Sequence, residues 1–161
     1  MRPKYLGLLA MAGIVTGSAI ARADNFNYPG VICQPENGGT YEMNYGSVLN
    51  ASSTSDLNVV CPILKNGSGT FTSIGPDSAV TFIDRNSTLD VACELRSESF
   101  SQGNVVHNGS FVITSAGISG QGNKQLGLTG NGGDYYYLFC TIPRMSNGAK
   151  SGIVFFHIVE H

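Results

Sequence analysis

Hydrophobic residues along this chain alternate with polar ones over short stretches, and no segment repeats them at helical spacing. In DLNVVCPI, Leu57, Val59, Cys61 and Ile63 fall on one side and Asn58 on the other. In LDVACELRS, Leu89, Val91, Cys93 and Leu95 share a side, while Asp90, Glu94 and Arg96 point away. In YYYLFCTI, Tyr136, Leu138, Cys140 and Ile142 align against Tyr135, Tyr137, Phe139 and Thr141. Successive side chains of a strand point to opposite faces, so a period of two marks a strand with one buried side. DSAVTFIDRNS reads as a further strand that enters a turn at Asp84 to Ser87. The final stretch, SGIVFFHIVEH, is apolar on both sides: Ile153, Phe155 and Val159 against Val154, Phe156 and Ile158. A continuous apolar run predicts a central strand covered on both faces.

Clusters of Gly, Asn and Ser separate these segments: NGG at 37–39, NASSTS at 50–55, NGSG at 66–69, NGS at 108–110, GQGN at 120–123 and GNGG at 130–133. Short strands so evenly punctuated predict an all-β fold, an antiparallel β-sandwich of the jelly-roll or immunoglobulin-like kind. Neither an internal repeat nor a linker divides the chain. The Gly-rich segment 97–133 is expected to be a long excursion between two strands.

The N-terminus has a different character. Arg2 and Lys4 precede an apolar run from Leu6 to Ile20, and Ala21-Arg22-Ala23 closes it with small residues. The run is shorter than the ~20 residues a membrane-spanning helix needs. Residues 1–23 therefore read as a secretory signal peptide removed after Ala23, leaving a single domain, 24–161, outside the cytoplasm: secreted, periplasmic or at the cell surface. The leader takes three of the nine basic residues and none of the eleven acidic ones, so the remaining domain is acidic. An acidic surface repels phosphate backbones, which excludes nucleic acid and anionic membrane surfaces as expected partners.

Cys33, Cys61, Cys93 and Cys140 all follow the leader. An even number of cysteines in an exported chain reads as two disulfides, with three possible pairings. A metal site is disfavoured, since the chain has no CxxC and no His-x-His. Alternation puts Cys61, Cys93 and Cys140 on the sides expected to be buried. Cys33–Cys61, enclosing a compact N-terminal unit, and Cys93–Cys140, joining two alternating strands, form the favoured set; the other pairings stay open.

The succession GVIC, NVVCP, VTFIDRNS, DVACEL, YYLFCTIP and a C-terminal strand ending in Glu160 resembles a group of secreted bacterial proteins of unknown function. These are short and signal-peptide-bearing, with four cysteines, a CP after the second and a CxxP-like ending after the fourth. The resemblance spans about Val31 to Glu160. It implies a disulfide-bonded β-sandwich and brings no catalytic residues.

Residues with chemistry are few. His107, His157 and His161 could serve a Ser–His–Asp arrangement in a secreted hydrolase, but no G-x-S-x-G elbow accompanies them. His157 reads as structural, beside the core. Asp84, Asp90, Glu94 and Glu98 are clustered, yet Asp90 and Glu94 lie on an outward strand side, where charge is ordinary. No catalytic residue is expected. DRNSTLD offers oxygens at Asp84, Asn86, Thr88 and Asp90, a spacing that suits calcium, although the loop lacks the Gly and distal Glu of an EF-hand. No other cofactor is expected. Sequons stand at Asn50, Asn66, Asn86 and Asn108, all in expected loops.

Tyr135, Tyr137 and Phe139 form the side of their strand opposite Cys140. Packing beneath the 97–133 excursion is their expected state. An open face would instead make them a platform for a carbohydrate or for an envelope or extracellular protein. The function expected is therefore binding or structural. One alternative is a strand-exchanging surface, coat or fimbria-like subunit with Phe26 and Tyr28 in its donor arm.

Overall fold

The computed structural model describes residues 24–36, 38–64, 73–99, 105–114, 120–129 and 135–160. Its elements are β1 (Asp24–Pro29), a 3-10 turn (Gly30–Ile32), β2 (Gln34–Pro35), β3 (Tyr41–Asn44), β4 (Ser47–Asn50), β5 (Leu57–Ile63), β6 (Ser73–Asp84), β7 (Ala92–Ser99), β8 (Val105–Ile113), β9 (Gly120–Thr129), β10 (Tyr135–Ile142) and β11 (Gly152–Glu160). Among the described residues no helix is long and apolar enough to cross a membrane.

One sheet has the order β3-β4-β11-β6-β9, with β1 added alongside β11, and the other has the order β2-β5-β10-β7-β8. The antiparallel pairs β4–β11, β5–β10, β6–β9 and β7–β8 make the chain from β4 to β11 one long hairpin rolled on itself. Successive pairs of that hairpin fall in alternate sheets. This is the eight-stranded jelly roll, and the strand order distinguishes it from the immunoglobulin arrangement.

The core lies between the sheets. One supplies Tyr28, Val48, Val80, Phe82, Ile153, Phe156 and Ile158, the other Leu57, Val59, Cys61, Ile63, Cys93, Leu95, Tyr136, Leu138, Cys140 and Ile142. The alternation in β5, β7 and β10 is thus the alternation between core and outside. Cys33 is bonded to Cys61 and Cys93 to Cys140, with Cα atoms 4.0 and 4.1 Å apart, the pairing that the alternation favours. Cys93 and Cys140 are direct register partners. The second bridge therefore staples neighbouring strands of one sheet, the first ties the residue just before β2 to β5 of that same sheet, and neither links one sheet to the other.

Three expectations change. The 97–133 segment is not a free excursion: its described parts complete β7, form β8 beside β7, and send β9 to the other sheet. β11 is central but not covered on both faces, since Phe155 is 37% exposed. A register shift between Ile153 and Phe155 reverses the phase, so that Ile153, Phe156 and Ile158 are all buried while Phe155 turns outward. The arm with Phe26 and Tyr28 is docked on its own chain: β1 pairs with β11, and the Tyr28 ring stacks on Phe156 with centroids 5.0 Å apart.

β1 and β4 share one side of β11, β4 along Gly152 and Ile153 and β1 from Phe155 onward. The 3-10 turn that follows β1 packs so closely on β11 that a Cβ on Gly30 would strike the Ile153 carbonyl. Only glycine permits that approach.

Candidate functional site

β10 is the middle strand of the five-stranded sheet. Its outward residues Tyr135, Tyr137, Phe139 and Thr141 consequently run down the centre of the outer face. The register sets Glu98, Arg96 and Glu94 of β7 beside the first three, and Pro62 and Val60 of β5 beside Tyr137 and Phe139. Phe111 of β8 extends the row beyond Glu94 and is 64% exposed. Tyr135, Tyr137 and Phe139 are each half-buried and do not lie in the core.

These side chains hold one another. The rings of Tyr135 and Tyr137 stack with centroids 5.8 Å apart. The Tyr135 hydroxyl donates to the Glu98 carboxylate. That bond, reinforced by burial and by the negative charge of Glu98, pushes the Tyr135 hydroxyl up to about 12. Burial also raises Tyr137, against the pull of the Arg96 charge. The Arg96 guanidinium lies 4.1 Å from the centroid of Phe139, and its Nε and Nη2 each come within 2.7 Å of Glu94 Oε2.

The three aromatic residues are therefore not equivalent. Phe139 is the base on which Arg96 rests, while Tyr135 and Tyr137 present a paired ring surface with polar edges. Arg96 and Phe111 belong to the same face, although alternation alone marks Arg96 only as outward and Phe111 lies in the segment read as an excursion. The opposite registration of Arg96 and Tyr137 is the signal that joins them, and it exists only once the strands are paired.

The acidic turn at the end of β6 is arranged differently. The Asp84 carboxylate is buried and accepts from the Asn86 and Val91 amides and from the Thr114 and Ser151 hydroxyls. Asn86 Oδ1 accepts from the amides of Thr88 and Leu89, and Asn86 Nδ2 donates to the Arg144 carbonyl. The lone pairs that a calcium ion would use at Asp84 and Asn86 thus face hydrogen-bond donors. Asp90 is half-buried, its Oδ1 3.3 Å from the Thr114 hydroxyl. The arrangement ties β6, β8 and the start of β11 together.

Two of the four sequons have a structural meaning and do not lie in open loops. Asn50 Oδ1 accepts from the Ser52 amide, while its Nδ2 donates to the carbonyls of Ser55 and Ile142. Asn86 makes the same turn with Thr88. In both, Asn-x-Ser/Thr is an Asx turn with a buried amide. Asn66 and His161 lie outside the described residues, as do the side chains of Asn108 and His107, both on β8. Nδ1 of His157 is 2.8 Å from Asn27 Oδ1, at the β1–β11 seam. Glu94 and Glu98 engage Arg96 and Tyr135, as above.

No family model matches this chain, and no curated protein matches it. Among solved structures it is similar to mutants of CBM29-2 that probe the mechanism of ligand recognition by family 29 carbohydrate binding modules. One superposes with a TM-score of 0.41 at 14% identity, covering 85% of this chain and 80% of that one. Another, complexed with cellulohexaose, gives a TM-score of 0.38 at 12% identity over 85% and 80%. Superposition this loose says nothing about a ligand here.

Proposed function

We propose that this protein is an exported, non-catalytic binding module that takes a carbohydrate on the outer face of its five-stranded sheet. The observation that carries the reading is the Tyr135–Tyr137 ring pair lying directly against Arg96, Glu94 and Glu98. A sugar ring has an apolar C–H face and a rim of hydroxyls. It is recognised where aromatic surface and planar hydrogen-bonding groups stand side by side. Here one strand supplies the rings and its neighbour supplies a guanidinium and two carboxylates.

The side chains are also held before any ligand arrives. Arg96 is fixed by Phe139 and Glu94, and Tyr135 by Glu98 and Tyr137, so little rotamer entropy remains to be lost on binding. The leader-like N-terminus and the two disulfides support export, because disulfides persist in oxidising compartments. The test is a glycan array probed with the oxidised protein and its Tyr137→Ala variant. Retention of a glycan by the parent and its loss in a variant of unchanged melting temperature supports the reading. A variant that binds like the parent contradicts it.

A further inference from the structure

We infer that a second ligand site, for a carboxylate-bearing sugar, lies on the other sheet around Tyr45 and Arg85. The turn between β3 and β4 consists of Tyr45 and Gly46, with φ of 46° and 83°. Two positive φ values in a hairpin turn are the geometry that Asn-Gly fills most readily. A bulky residue there crowds its own backbone. The Tyr45 ring is moreover 100% exposed. Neither turn geometry nor packing accounts for a tyrosine at this position, and such outliers cluster at ligand sites.

Tyr45 forms one wall of a cleft of about 240 Å³, with Ser47, Leu49, Ile83, Arg85 and Lys150. The register explains the depression. Leu49, Gly152 and Ile83 stand in one row across β4, β11 and β6. A Cβ on Gly152 would strike the Val48 carbonyl first and then Leu49, so the glycine lets β4 and that leucine lie close against the row. The volume falls below the roughly 300–1,000 Å³ of pockets that enclose a drug-sized ligand, which matches a single ring.

Charge completes the description. Among the described residues Arg96 pairs with Glu94, Arg144 with Asp56 and Lys150 with Glu42, whereas no carboxylate pairs with Arg85. An exposed, unmatched guanidinium on an acidic protein suits an anion, and its planar fork suits a carboxylate in particular. Glu42, held at the cleft by Lys150, disfavours a doubly charged group such as phosphate. The Tyr45 ring supplies a stacking surface for the C–H face of the same sugar.

The experiment titrates glucuronate into the oxidised protein and follows backbone amide signals, with glucose and acetate as controls. Saturable shifts at Tyr45, Gly46, Arg85 and Lys150 are expected with glucuronate, at least tenfold weaker with either control. Arg85→Gln should weaken binding at least tenfold. Tyr45→Asn, which suits the turn better and should not lower the melting temperature, should weaken it at least fivefold. Tyr137→Ala should leave the titration unchanged, which separates this site from the face proposed above. Absence of saturable shifts, acetate binding as tightly as glucuronate, or parental affinity in either cleft variant would overturn the inference.

Discussion

Arg96 and Phe139 stand on adjacent strands of one outer face, with the guanidinium carbon of the first 4.1 Å from the ring centroid of the second. Glu94 holds the same guanidinium by its Nε and Nη2. The side chain is thus fixed by a ring and a carboxylate from two different strands. Removing it should cost about 0.5–1 kcal/mol, as partly exposed cation–π contacts do. Urea unfolding of Arg96→Ala should show that loss as a lower midpoint with an unchanged slope. Arg96→Lys keeps the charge but not the planar fork, and it should recover less than half of the lost glycan affinity.

Tyr135 holds its proton more tightly in the fold than in the unfolded chain, its hydroxyl being pushed from 10.0 up to about 12. The stabilisation that accompanies this shift is complete below pH 10. It is lost as the pH climbs from there toward 12, because the unfolded chain releases the proton first. A tyrosinate absorbance titration should include Tyr135 among the late-ionising tyrosines. Glu98→Gln removes both the charge and the strong acceptor, and should move that tyrosine back toward the ordinary range.

The two disulfides close loops of unequal length, with sequence separations of 28 and 47. By the chain-entropy model their loss should cost about 3.6 and about 4 kcal/mol respectively. Cys33→Ala/Cys61→Ala and Cys93→Ala/Cys140→Ala double variants, compared by urea unfolding, should both be strongly destabilised and differ by less than about 1 kcal/mol.

Asp84 gathers four donors inside the fold. Asp84→Ala takes that buried acceptor from all four, of which only the Val91 amide (to Thr114 Oγ1) and the Thr114 hydroxyl (to Asp90) keep a second acceptor among the described residues, and should cost about 3 kcal/mol. Melting experiments with and without calcium check the role of the turn. A hydrogen-bonded hub predicts the same melting temperature in calcium and in chelator.

Much of this was readable in the sequence where one side of a strand is buried and the other is wet. Tyr136, Leu138, Cys140 and Ile142 alternate cleanly, and the core and the disulfide pairing follow from them. β8 and β9 escaped that reading because they are edge strands rich in Gly, Asn and Gln, with little alternation to detect. The bulge in β11 also lies beyond a pattern, since it places Ile153 and Phe156, from opposite sides of the alternation, in one core. The site was half legible. The tyrosines announce themselves as a stripe, but Arg96 joins them only through strand register. Arg85, Lys150 and Tyr45 come from three separate turns that the roll brings to one end.

The central claim is that ligand is read by the outer face of the five-stranded sheet. Adding a glycan retained on the array while recording backbone amide signals of the labelled protein tests it most directly. The largest shifts are expected at Tyr135, Tyr137 and Phe139 of β10 and at Glu94, Arg96 and Glu98 of β7. Saturable shifts that avoid both strands would contradict it.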